Sequence, residues 1–173
     1  MKYFIVLSLF IAATWTAAGQ DNPVASGKLP SVNVKSLDGS SFNIGTLSND
    51  GKPIILTFWA TWCKPCIKEH DAINDIYDEW LEETGVRMVA VSIDNVRSSR
   101  SVKPLVDGKG WEFDVYLDEN GDLKRAMNVN IPPHTYILDG EGNIAWQHVG
   151  YLDGDELKYI DVVKKLMKGE SIE

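Results

Sequence analysis

Ile54-Ile55-Leu56-Thr57-Phe58-Trp59-Ala60 is a continuous apolar, β-prone run entered from Lys52-Pro53, and Thr61-Trp62-Cys63-Lys64-Pro65-Cys66 follows it directly. A run of this length between turn residues is how a strand buried on both faces reads. Beyond it, Ile73, Ile76, Tyr77, Trp80 and Leu81 recur at helical spacing, while Asp71, Asp75, Asp78, Glu79, Glu82 and Glu83 take the other face. The pattern predicts a helix of several turns ending near Gly85. The two cysteines therefore sit where a central strand hands over to a helix. There the first sulfur lies beside unpaired backbone N–H groups and the positive end of the helix dipole, which favours thiolate over thiol. Cys63 is the expected nucleophile. Cys66, one turn on, is placed to attack the mixed disulfide that Cys63 forms, releasing the partner and closing a Cys63-Cys66 bond. Pro65 suits the first helical turn, where no N–H is missed, and Lys64 adds a nearby positive charge on a flexible exposed stem.

Working outward, Val32 and Val34, the Asp38-Gly39 turn, and Phe42 and Ile44 read as an N-terminal β-hairpin. A second buried strand covers 86–93, and a helix over 98–109 is interrupted by Pro104. A short strand at 113–117, the turn Asp118-Glu119-Asn120-Gly121 and a short helix over 122–128 come next. Strands over 135–138 and 143–149 flank Asp139-Gly140-Glu141-Gly142 as a hairpin. Asp153 opens a last helix with Leu157, Ile160, Val163 and Met167 on one face and Lys164, Lys165 and Lys168 near its end. Strand, helix, strand, helix is the βαβ pattern, so the expected class is α/β, with a central mixed sheet flanked by helices and an N-terminal hairpin extension. No internal repeat or second domain is visible, and residues 31–173 read as one domain.

The chain's 173 residues are 44% hydrophobic and 24% charged, which excludes disorder over most of its length. A net charge of -8 leaves no basic surface for nucleic acid or anionic membranes. Two cysteines are too few for a disulfide-stapled scaffold or a four-cysteine zinc site. Met1-Lys2, the apolar stretch from Tyr3 to Ala13 and Thr16-Ala17-Ala18-Gly19 together read as a signal peptide over 1–19, cleaved near Ala18-Gly19. An uncleaved anchor is the alternative, but the apolar run is short of the ~20 residues a spanning helix needs. Removing Lys2 with the signal leaves 16 positive against 25 negative charges, a net of -9. Residues 20–30, polar and rich in Gly, Pro, Ser and Asn, read as a flexible tether.

Two other readings of the cysteines stay open at this level. As an ordinary staple, a pair two residues apart constrains little unfolded-chain entropy. As metal ligands, Cys63 and Cys66 with His70, one turn beyond Cys66, and His134 make a Cys2His2 set for a metal-binding or metal-delivery module. His148 has no evident partner.

The stretch Phe58-Trp59-Ala60-Thr61-Trp62-Cys63-Lys64-Pro65-Cys66 resembles, almost letter for letter, the strand and active-site motif of the TlpA/ResA-like branch of the thioredoxin superfamily. Leu29-Pro30 with the Asp38-Gly39 hairpin resembles its N-terminal extension, and the resemblance spans nearly the whole mature chain. Val129-Asn130-Ile131-Pro132-Pro133-His134-Thr135-Tyr136-Ile137-Leu138-Asp139 is similar to the segment holding the family's cis-proline, which falls on Pro133. The resemblance implies a thioredoxin-like fold and an extracytoplasmic, periplasmic thiol-disulfide oxidoreductase acting on protein thiols and disulfides. It implies a reductant recharged by a membrane electron donor, in some members serving cytochrome c maturation. A monomer with no cofactor beyond its own disulfide is expected. Trp62 and Pro133 then frame the sulfur and a substrate groove, although Trp62 can also be read as a core aromatic.

Glu69 matches the glutamate that the family carries three residues after its second cysteine. It is a candidate carrier of the proton that Cys66 must lose, or else a first-turn glutamate favoured by the helix dipole. Thioredoxins proper have a buried aspartate just before the Phe-Trp pair; here that position is Thr57. Two departures stand out. The residue before the cis-proline normally pairs its backbone with the substrate, but Pro132 has no N–H to donate. The helix also continues Glu69-His70-Asp71 where the family usually has a proline, leaving its kink open. A peroxiredoxin, which shares the superfamily and the hairpin, needs a proline seven and a threonine or serine three residues before its reactive cysteine. Leu56 and Ala60 stand there instead.

Overall fold

The computed structural model describes residues 27–172. The signal-peptide reading over 1–19 and most of the tether lie outside the described residues. In chain order the elements are β1 (Asn33–Ser36), β2 (Ser41–Asn43), β3 (Ile54–Trp59), α1 (Lys64–Asn74), α2 (Tyr77–Thr84), β4 (Arg87–Ser92) and α3 (Val102–Lys109). They continue with β5 (Asp114–Leu117), α4 (Asp122–Ala126), β6 (His134–Leu138), β7 (Ile144–Val149) and α5 (Asp155–Lys168). The strands form one mixed sheet in the order β2-β1-β5-β4-β3-β6-β7. β3, β4 and β5 run parallel, and β6 and β1 pair antiparallel on either side of them.

Every residue of β3 is buried, as the unbroken apolar run requires. Strand alternation sends Ile55 and Trp59 to one face, where Ile73, Trp80, Val106, Tyr159 and Val163 from α1, α2, α3 and α5 cover them. It sends Ile54, Leu56 and Phe58 to the other face, against Val34 of the hairpin, Ile44 and Leu123 of α4. At roughly 1.5–3 kcal/mol per fully buried aliphatic or phenyl side chain, β3 anchors both layers.

Four details depart from the sequence reading. The single helix after Cys66 is two helices, broken at Asp75-Ile76 with no proline involved: Ile76 (φ -125, ψ 7) leaves helical geometry and its N–H bonds the Ile73 carbonyl. The break turns Tyr77 into the core, where its hydroxyl accepts the Met88 N–H at 3.1 Å, and leaves Leu81 exposed. Pro104 does not interrupt α3, because it is the third helical residue, where no intrahelical N–H is missed. In α5, Ile160 and Val163 face inward as expected, but Leu157 and Met167 are exposed; Tyr159 and Val162 are buried instead. The last stretch of the segment read as a tether is pinned: Lys28 bridges Asn143, and the Ile144 N–H donates to the Gly27 carbonyl at 2.8 Å.

The ends of β3 and β4, the start of β6 and the end of β7 meet at one edge, since Phe58 pairs with His134 and His134 with Val149. Cys63, Asp94 and Pro133 all leave the sheet there, at the carboxyl edge of the parallel strands, where α/β proteins place their chemistry.

Candidate active site

Cys63 is the N-cap of α1, with extended backbone, and its Sγ accepts the Cys66 N–H at 3.3 Å. The two cysteines are joined in a disulfide, with Cα atoms 5.3 Å apart. The pair is asymmetric: Cys63 is 5% exposed and Cys66 0%, so of the two only Cys63 has surface to offer a partner. Pro65 lies in the first helical turn without loss of a hydrogen bond. Trp62 is 63% exposed and therefore a surface aromatic beside the sulfur, not a core one.

The turn leading into Cys63 is held by a residue that the sequence reading passed over. Asp94, buried after β4, accepts the Thr61 N–H and the Thr61 hydroxyl, each at 2.8 Å, and the Ser92 hydroxyl at 2.9 Å. Its only advance signal is an acid two residues past a buried strand at the reactive edge. The Pro132-Pro133 peptide is cis, at the proline anticipated for it, and the Pro133 carbonyl accepts the Gly150 N–H at 2.8 Å. Pro133 is buried and Pro132 half-buried.

Glu69 is 0% exposed. Three hydroxyls converge on its carboxyl: Tyr159 of α5 donates at 2.7 Å and Thr135 of β6 at 3.1 Å to Oε1, and Thr57 of β3 at 3.3 Å to Oε2. Thr57 and Thr135 are register partners on the sheet face under α1, and their hydroxyls lie 3.2 Å apart. The threonine that replaces the thioredoxin aspartate thus holds a carboxyl supplied from α1. Burial pushes the Glu69 carboxyl up from its ordinary 4.5 to about 7, with the Tyr159, Thr135 and Thr57 hydrogen bonds opposing the rise and the charge of Asp155 adding to it. Nothing in the helical pattern announced Tyr159 except a polar-tipped aromatic one place before Ile160.

The four residues of the metal reading are not brought together. Cys63 and Cys66 are bonded to each other, and His70 is enclosed by Trp59, Trp111 and Phe113, with ring centroids 5.2, 4.8 and 5.4 Å away. Among the described residues its two ring nitrogens and Trp59 Nε1 are buried without hydrogen-bond partners, and burial holds the imidazole down at about 3, so it stays neutral. His134 sits with Tyr136 on the opposite face of the sheet from α1, stacked at 4.4 Å, its Nε2 3.3 Å from Gln147 Oε1. Among the described residues no group of three or more His, Cys, Asp or Glu is disposed to hold a metal. His148 does have a partner: its Nε2 lies 3.3 Å from Asp155 Oδ2.

A disulfide across the first turn of a helix, a cis-proline segment at the same sheet edge and a mixed sheet around them define a thioredoxin-like thiol-disulfide oxidoreductase. The AhpC/TSA family model matches residues 25–147, and the chain belongs to that family, in its TlpA/ResA-like branch. It is 30% identical over 129 residues to the thiol-disulfide oxidoreductase ResA of Bacillus thuringiensis (strain Al Hakam), covering 75% of this chain and 72% of that protein. It is 32% identical over 157 residues to the thiol:disulfide interchange protein DsbE of Yersinia pestis, covering 86% of this chain and 79% of that one. The solution structure of a thioredoxin-like protein from Porphyromonas gingivalis aligns with a TM-score of 0.73 and 49% identity, over 81% of this chain and 92% of its own.

Proposed function

We propose that this oxidoreductase works outside the cytoplasm as a reductant of protein disulfides. The reduced Cys63 thiolate attacks a partner disulfide, forming a mixed disulfide and expelling one partner thiolate. Glu69, ionised, takes the proton of the Cys66 thiol. The Cys66 thiolate attacks Cys63 Sγ, the second partner thiolate leaves, and the Cys63-Cys66 disulfide closes. Two partner thiols form as two protein thiols are oxidised, the proton on Glu69 returning through the leaving groups or solvent. Trp62 flanks the entering sulfur, and Pro132 and Pro133 line the partner segment, with one backbone donor missing at Pro132. A membrane electron donor re-reduces the pair, and the protein acts as a monomer.

The observation that carries this reading is the Cys63-Cys66 disulfide itself, with Cys66 fully buried and, one turn on, a buried Glu69 carboxyl held by three hydroxyls. The apolar leader Tyr3 to Ala13, with small residues for cleavage near Ala18-Gly19 ahead of a single catalytic domain, supports export. Among the described residues no helix is long and apolar enough to cross a membrane. The test is expression of the full chain carrying Cys66→Ser in a bacterial host. Mixed disulfides recovered with extracytoplasmic proteins, on a chain beginning near Gly19, are expected; a chain retained whole in the cytosol refutes the placement.

A further inference from the structure

Glu69 touches no solvent and, among the described residues, has no cation bonded to it, so its proton affinity is set by the few groups that face it. From β3 this is Thr57, from β6 Thr135, and from α5 Tyr159 with Asp155 one turn earlier; Tyr151, in the loop before α5, lies close enough for its phenol to sense the Glu69 charge. On its own helix Cys66 stands three residues before it, and His70, next in the chain, is neutral and enclosed by Trp59, Trp111 and Phe113.

These donors are not equivalent. The Thr57 and Thr135 hydroxyls are within bonding distance of each other, so either can turn from Glu69 without being orphaned. When Glu69 is protonated on Oε2, it donates to Thr57, which passes its own hydrogen toward Thr135, and the pair simply reverses direction. Tyr159 makes the shortest of the three bonds, at 2.7 Å, to Oε1. Its ring is fixed by Trp146 and His148, with centroids 5.7 and 6.1 Å away, so the phenol cannot follow a wandering carboxyl. A phenol O–H pointed at a carboxylate in a dry site is a charge-assisted bond, roughly twice as strong as a neutral one.

We propose that Tyr159 is the positioning residue for proton transfer at this site: from α5, its hydroxyl fixes Oε1 of Glu69 and keeps the ionised carboxylate accessible for the Cys66 proton. The inference rests on the proposed role of Glu69. α5 thereby becomes part of the redox machinery although it carries no reacting atom.

The test compares wild type, Tyr159→Phe, Glu69→Gln and Tyr151→Phe, the last removing a nearby phenol bonded to Glu156 rather than to Glu69. Each is pre-reduced and mixed with excess peptide disulfide, and the rate of Cys63-Cys66 closure is followed by acid quenching and alkylation of the remaining thiols from pH 5 to 9. Loss of a donor to the carboxylate disfavours ionisation, so Tyr159→Phe should move the acid limb up by about one pH unit. At pH 7 that lowers closure about fivefold, while Tyr151→Phe follows wild type. Glu69→Gln should lose the limb. A Tyr159→Phe limb superimposed on wild type overturns the inference while leaving Glu69 in its role, whereas a limb that survives in Glu69→Gln overturns that role and the inference with it. If Tyr159→Phe folds poorly, ¹³C-carboxyl titration of Glu69 in Thr135→Val gives the second reading. That variant removes a weaker donor and should move the midpoint less than one pH unit; a larger move would assign the control to the threonine and contradict the proposal.

Discussion

Replacing Glu69 by glutamine should change how stability depends on pH more than it changes stability itself. A carboxyl that binds its proton at about 7 when folded and near 4.5 when unfolded holds the proton more tightly in the native state. The sign follows from linkage: between these values the native state carries more protons than the unfolded one, so stability falls as pH rises. The contribution is fully present below pH 4.5 and is lost as pH climbs through about 7. At 1.36 kcal/mol per pH unit the loss is ~3 kcal/mol, a large share of the 5–15 kcal/mol that a domain has in all. The glutamine side chain has no proton to bind, and the hydroxyls around it can rotate to serve an amide, so whatever fixed offset the substitution brings is the same at both ends of the range. Urea denaturation of the oxidised proteins at pH 4.5 and pH 8 gives the two differences. The variant should gain on the wild type by ~3 kcal/mol between these pH values, equivalent to several degrees in Tm. Parallel stability curves, with the difference unchanged within 0.5 kcal/mol or so, would refute the claim that a carboxylate is forced into this site at neutral pH.

The cysteine asymmetry makes a sharp prediction for mixed-disulfide trapping. Cys66→Ser should accumulate a partner adduct on Cys63 that dithiothreitol removes on a non-reducing gel, and Cys63→Ser should accumulate little, because Cys66 has no exposed surface; equal trapping by both would contradict the asymmetry. Asp94→Ala strands the Thr61 N–H and hydroxyl and should lower unfolding free energy by about 2–3 kcal/mol, with slower attack by Cys63; an unchanged denaturation midpoint would show that the turn does not depend on this carboxylate. Pro132→Thr supplies the backbone N–H that this position lacks and should raise kcat/KM for a peptide disulfide severalfold through KM; equal activity would mean that the partner chain does not bond there.

The sequence made the strand, the cysteine pair and the cis-proline legible because each is a local signal: an unbroken apolar run, a two-residue spacing, a motif. Glu69 was legible by position but not by environment, since its neighbours come from three elements up to 90 residues away in sequence. Asp94 and Tyr159 were invisible for the same reason: a polar residue near a strand end or inside an apolar helical face has no meaning until the sheet brings its partner. The rotation of α5 has a related cause, because an aromatic anchored to a carboxyl outweighs Leu157 and Met167, which the periodic pattern alone would bury. His70 misled in the opposite sense. Its spacing from Cys66 suits a ligand, but the Trp59, Trp111 and Phe113 box that encloses it is assembled from segments more than 50 residues apart.

The reduction potential of the Cys63-Cys66 couple bears most directly on the proposed direction of electron flow. The signal-free protein, equilibrated against graded dithiol/disulfide buffers and read by alkylation of the free thiols, should show one reversible two-electron couple at or below about -250 mV, the range of a reductant that needs an electron supply. A couple near about -120 mV would mark an oxidant that donates its disulfide, and would contradict the account.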